Sequence, residues 1–132
     1  MDNKTFNKVI NEQLEICKNI LCQKSKEYDF SEDRLRSFKV ASNLTAGTPV
    51  SVLLGYLTKH VMSIYDMGLS DNDYPIEKWE EKITDFINYG LLLKALITEE
   101  NNFKNKPNSI EELFSRVKSV DGDGVTTSYE EY

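Results

Sequence analysis

The sequence predicts an all-α fold, a bundle of four main helices followed by a short C-terminal helix and an acidic tail. Apolar residues recur three and four apart through most of the 132 residues, and no stretch reads convincingly as a strand. Gly47, Thr48-Pro49, the Gly68–Tyr74 loop and Pro75 punctuate these periodic segments. That length suits a single domain, residues 1–120, with residues 121–132 as the tail.

The first helix is predicted from about Asn3 to Gln23, with Phe6, Val9, Ile10, Leu14, Cys17, Ile20 and Leu21 on one stripe. A charged connection, KSKEYDFSED, runs from Lys24 to Asp33. Asp29 with Glu32, or Ser31 alone, suits the cap of a second helix whose inward residues are Leu35, Phe38 and Ala41. Gly47 closes it, and Thr48-Pro49 opens a third helix running to about Met67. The apolar arc of that third helix is wide (Val50, Leu53, Leu54, Tyr56, Leu57, Val61, Ile64), which predicts a central position covered on more than one side. Pro75 starts a long fourth helix to about Glu100. Ser109 with Glu112 makes a capping box for a short fifth helix with Ile110, Leu113, Phe114 and Val117 inside. The terminal DGDGVTTSYEEY lacks periodicity and reads as a flexible or extended arm.

Net charge is -6, and Asp121, Asp123, Glu130 and Glu131 supply four of those charges without any basic residue in the last twelve. The remainder is close to balanced, which argues against binding duplex nucleic acid through a basic surface. Cys17 and Cys22 lie five apart, too far for a CxxC pair, and with one histidine a structural zinc site is not expected. The polar N-terminus has no signal-peptide run, and no segment approaches the roughly 18 apolar residues of a membrane span. These features predict a cytoplasmic protein with reduced thiols and no membrane partner.

The residues that suit chemistry fall in three groups. On the fourth helix Glu77, Glu81, Asp85 and Asn88 share a polar stripe, with Trp79, Ile83, Phe86 and Ile87 on a different, apolar face. Carboxylates four apart with an amide three residues on can hold a divalent cation, position a water or meet a base edge; they equally suit a solvated face paired with Lys78 and Lys82. His60 sits among Leu53, Leu57, Ile64 and Met67, either as a core histidine satisfied by one hydrogen bond or as an imidazole placed for proton transfer or phosphate contact. Lys59 beside it is a phosphate ligand by type. Around the connection, Lys24, Lys26, Arg34, Arg36 and Lys39 surround Tyr28, Phe30 and Phe38, a mixture that fits a nucleotide or a salt-bridged surface loop.

Four short motifs occur in order: Lys24 to Asp29 (KSKEYD), Asp33 with Phe38-Lys39, Lys59-His60, and Glu81, Asp85, Asn88, Tyr89. Together, over roughly Phe6 to Ile97, the chain resembles phage-associated nucleotide modification associated helical proteins. More distantly it is similar to the all-α nucleoside triphosphate pyrophosphohydrolases of MazG type. The resemblance implies a homo-oligomeric helical protein acting on nucleotide pools and, from the pyrophosphohydrolases, Mg²⁺ held by acidic residues on paired helices. On the residues of this chain the expectation is then a nucleotide with Lys24, Arg34 and Lys59 on its phosphates and Tyr28 stacking its base, Mg²⁺ on Glu81 and Asp85, and Asn88 orienting a water or base edge. The sequence departs from the enzyme pattern in its first helix, where Glu12 and Glu15 point away from the apolar stripe. A non-enzymatic binder of a nucleotide or cyclic-nucleotide signal, and a helical protein-interaction module, are the alternatives.

Overall fold

A computed structural model describes residues 1–27 and 33–106, the side chains of 23–27 excepted. Among these residues there are four helices and no strand: α1 (Asn3–Glu27), α2 (Arg36–Leu44), α3 (Pro49–Leu69) and α4 (Ile76–Lys104). The all-α bundle is therefore as the periodicity predicts. The proposed fifth helix and the tail lie outside the described residues, as do Tyr28, Asp29, Ser31 and Glu32. The chain divides into two compact units, Met1–Glu99 and Glu100–Tyr132. In the second, the described residues are 100–106, the end of α4 and two residues beyond it; there Lys106 Nζ stands 5.0 Å above the Phe103 ring. The packing of α1, α2, α3 and most of α4 belongs to the first unit.

Asp2 caps α1, its carboxylate accepting from the Thr5 N–H at 2.7 Å, and that bond holds its pKa below the usual carboxylate value. The helix passes the expected end at Gln23 and continues to Glu27, because Lys-Ser-Lys-Glu contains no breaker. At α2 the N-cap position is Leu35, without a side-chain cap. Asp33 does the local work instead, accepting from the Leu35 N–H at 3.0 Å.

The α2–α3 corner departs from the expected glycine stop. Its left-handed residue is Ala46 (φ 51°), while Gly47 N–H closes onto the Ser42 carbonyl at 3.0 Å. That is the outer hydrogen bond of a Schellman turn. Gly47 is required by space, since a Cβ there would stand 2.8 Å from Ser51 Oγ. Ser51 is fixed by a reciprocal capping box with Thr48, and Pro49 occupies the first turn of α3.

Cross-helix contacts set the topology. Gln13 of α1 bonds Thr84 of α4, and Ile20 and Leu21 lie beside Asn88 and Leu92, so these helices run parallel. His60 and Gly68 of α3 meet Tyr89 and Trp79 of α4, respectively, so that pair is antiparallel. The short α2 covers the other end, with Phe38 edge-on to Tyr56 and Lys39 bonded to Glu99. There Leu35, Phe38, Leu53 and Leu96 form the hydrophobic core, with Val50, Val52, Tyr89, Leu92 and Leu93 packed against it.

One expectation about helix faces is corrected. α3 is not covered all round: Leu53 and Met67 are buried, but Leu54, Tyr56, Met62 and Tyr65 are exposed, because α2 and α4 occupy only part of its circumference. On α4, the buried positions are Thr84, Asn88 and Leu96, whereas Ile83 and Phe86 of the apolar face are exposed. The helix is rotated by the Gln13–Thr84 hydrogen bond and by the Leu96 anchor, so polar residues occupy its inner line at this level.

Candidate ligand-binding cleft

A cleft of about 260 Å³ opens between the C-terminal half of α1, the start of α2 and the middle of α4. Its walls include Ile20, Leu21, Arg34, Phe38, Asn88 and Tyr89, with Ser37, Asp85 and Leu92 also lining it. Aromatic and aliphatic faces therefore surround a few convergent polar groups, the usual composition of a small-molecule site.

Asn88 is the chemically decisive wall residue. It is 6% exposed, yet its Oδ1 is buried without a hydrogen-bond partner. An amide oxygen left so costs about 1–3 kcal/mol. The neighbouring buried polar groups are already satisfied: Gln13 Nε2 donates to Thr84 Oγ1 at 2.8 Å and to Cys17 Sγ at 3.4 Å.

Arg34 supplies the positive charge. Its Nη2 donates to the Leu21 carbonyl at 2.7 Å, which uses one of five guanidinium N–H groups and pins the side chain against α1. The segment bearing Arg34 is held by an ion bridge: Lys39 Nζ lies 2.8 Å from both Asp33 and Glu99, joining the α2 entry to α4. The Lys39 hydrogen bond holds the Asp33 carboxyl below its usual range, and Asp33 and then Glu99 push the Lys39 ammonium upward.

Asp85, which lines the cleft, meets His60 of α3, with His60 Nδ1 3.5 Å from Asp85 Oδ2. The imidazole lies against Tyr89 (ring centroids 4.7 Å apart), and Tyr89 in turn stacks on Tyr56 at 6.1 Å. Burial foremost, then Tyr56 and Asp85, raises the Tyr89 phenol above its ordinary pKa. His60 is thus neither a lone core histidine nor an open one: its side chain is 16% exposed and faces a carboxylate.

The structure brings Arg34, Asp85 and Asn88 to one cleft, with His60 behind Asp85. It does not bring Glu81 or Lys59 there. Glu81 is an exposed side chain held by Lys82 at 3.2 Å and Lys78 at 3.3 Å, and these hydrogen bonds lower its pKa. The solvated, lysine-paired face foreseen as the alternative describes Glu81, while Asn88 is buried and Asp85, half-buried, lines the cleft. Lys59 lies with Val52, Gly55 and Tyr56 on a separate surface of α3. Glu12 and Glu15 are exposed on α1, as the sequence indicates. The Lys24 side chain and Tyr28 lie outside what the structure describes. Among the described residues no group of three or more His, Cys, Asp or Glu is arranged to hold a metal ion, and no helix is long and apolar enough to cross a membrane.

Sequence reasoning missed Ser37, Gln13 and Thr84. A signal existed for Gln13, a polar residue between Ile10 and Cys17 within the apolar stripe of α1. No protein-family model, curated protein or solved structure matches this chain.

Proposed function

We propose that this protein binds a small nucleotide-like anion in the α1–α2–α4 cleft. The observation that carries the proposal is the unpaired, buried Asn88 Oδ1 on a residue that lines the same cleft as Arg34. In this arrangement Arg34 meets a phosphate through its remaining N–H groups, and Asn88 accepts from an N–H on a base edge. Phe38 and Tyr89 offer aromatic surface to the base. A cleft of about 260 Å³ encloses part of such a ligand and leaves the rest toward solvent.

Hydrolysis of a nucleoside triphosphate is the second reading, favoured by one observation: the Asp85 carboxylate lines the cleft with an imidazole against it. Among the described residues that line the cleft, Asp85 is the one carboxylate. The residues suit a Mg²⁺ held by Asp85 and the ligand's own phosphates, not a protein-only magnesium site. Bound so, the ion would neutralise phosphate charge. His60, with Nδ1 facing Asp85, would orient that carboxylate.

A thermal-shift titration with nucleoside mono-, di- and triphosphates, with Mg²⁺ and with chelator, tests both readings. A ligand at a hundred times its Kd stabilises the fold by about 2.7 kcal/mol, an unmistakable rise in Tm. Stabilisation in chelator with ligand recovered intact supports binding alone. Magnesium-dependent release of pyrophosphate, lost in Asp85→Ala, supports the enzyme. No shift with any nucleotide overturns the proposal.

A further inference from the structure

We infer that the cleft selects guanine among the common bases, with the Asp85 carboxylate and the Asn88 amide oxygen reading it. The inference rests on the nucleotide-binding reading above and adds the identity of the base. Asp85 and Asn88 both line the cleft and stand three apart on α4, so they share a helix face with Cβ atoms roughly 5–6 Å apart.

The polar groups of the cleft are graded in exposure, and the grading orients a ligand. Asn88 is 6% exposed, the Asp85 side chain is 38% exposed, and Arg34 is exposed. A phosphate drawn past Arg34 toward Asn88 would meet the Asp85 carboxylate and be repelled. The phosphate therefore stays with Arg34, and the part of the ligand that reaches Asp85 and Asn88 is uncharged.

That part must be rich in donors. An ionised carboxylate only accepts, through about four lone-pair sites, and His60 faces one of the two Asp85 oxygens, at 3.5 Å. Asn88 Oδ1 adds a buried acceptor without a partner. Adenine and cytosine each present an amino group beside a ring nitrogen that is itself an acceptor, and a carboxylate repels that nitrogen. Uracil and thymine set a single N–H between two carbonyls. Guanine alone carries an N–H at N1 next to an amino group at N2. A carboxylate takes these two as parallel hydrogen bonds, the same fork that it makes with a guanidinium. Asn88 Oδ1 then accepts the second N–H of the amino group.

Calorimetric titration of the full chain with guanosine, inosine, adenosine, cytidine and uridine 5′-triphosphates, all in chelator, tests this. Inosine is guanosine without the N2 amino group, so that pair decides the inference without any variant. Guanosine 5′-triphosphate should bind about tenfold or more tighter than its inosine counterpart, and tighter than the other three. In Asp85→Asn the guanosine-to-inosine ratio should fall toward one. Both ligands carry the same phosphates, so the charge removed from the protein cancels from the ratio, and retained inosine binding shows that the variant is folded. Glu80→Gln removes the same charge from an exposed position of α4 outside the cleft lining and should leave the ratio as in the parent. Equal affinity for guanosine and inosine, or preference for another base, overturns the inference and leaves nucleotide binding standing. A guanosine preference that survives Asp85→Asn overturns it as well, by placing the recognition elsewhere. Binding of none of the five overturns the nucleotide reading itself, and this inference with it.

Discussion

Replacing Asn88 by leucine separates what the cleft costs from what it does. In the ligand-free protein Asn88 Oδ1 is buried without a partner, a penalty of about 1–3 kcal/mol. Leucine has nearly the same shape, is the better helix former by a few tenths of a kcal/mol, and adds apolar burial beside Leu92 and Phe38. Asn88→Leu should therefore stabilise the free protein by about 1–3 kcal/mol, raising Tm by about 5–15 °C for a domain of this size. The same change removes the acceptor from the site, so nucleotide affinity should fall by about ten- to a hundredfold. Equilibrium urea unfolding read by circular dichroism measures the first effect, and calorimetric titration the second. The reasoning is refuted if Asn88→Leu lowers stability, for that would mean the amide oxygen is satisfied in the free protein and does not call for a donor from a ligand.

Arg34→Gln should weaken binding by about tenfold or more by removing the cation that lines the cleft among the described residues, with a salt dependence of affinity flatter than in the parent protein. Ala46→Gly should add about 1 kcal/mol of stability by relieving the left-handed backbone, whereas Gly47→Ala should remove at least as much through contact with Ser51 Oγ; chemical denaturation reads both. The Asp33–Lys39 bridge predicts a pH signature. The folded Asp33 pKa is depressed from 3.8, so its contribution is present above that value and lost as pH falls through the lower folded one. The folded Lys39 pKa is raised from 10.5, so its contribution is present below 10.5 and lost as pH rises through the raised value. Tm profiles at acid and alkaline pH should both flatten in Lys39→Met, and unchanged profiles would sink the assignment.

The four described helices, their order and most of their boundaries were legible because they depend on local chemistry: Thr48-Pro49 with Ser51 specifies a helix start, and the three-and-four spacing specifies a helix. Rotation of α4 was not legible. Both its stripes were visible, but which of them faces inward depends on a hydrogen bond from Gln13, 71 residues away, to Thr84, one turn before the buried Asn88. The acidic stripe divided for the same reason, since Lys78 and Lys82 claim Glu81 while α3 presents His60 to Asp85. Arg34 was recognisable by type. Its anchor on Leu21 was not, because a backbone carbonyl has no sequence signature.

The Gln13–Thr84 hydrogen bond has a consequence for how α1 can shift. Sliding this helix along α4 by one turn, about 5.4 Å, would strand an amide and a hydroxyl among Cys17 and its apolar neighbours. Pivoting about the bond keeps both satisfied. Widening the gap beside Ile20 and Leu21 thus favours a tilt of the far half of α1 over axial translation. A chain that exchanges one of the two residues for a hydrocarbon must exchange the other as well.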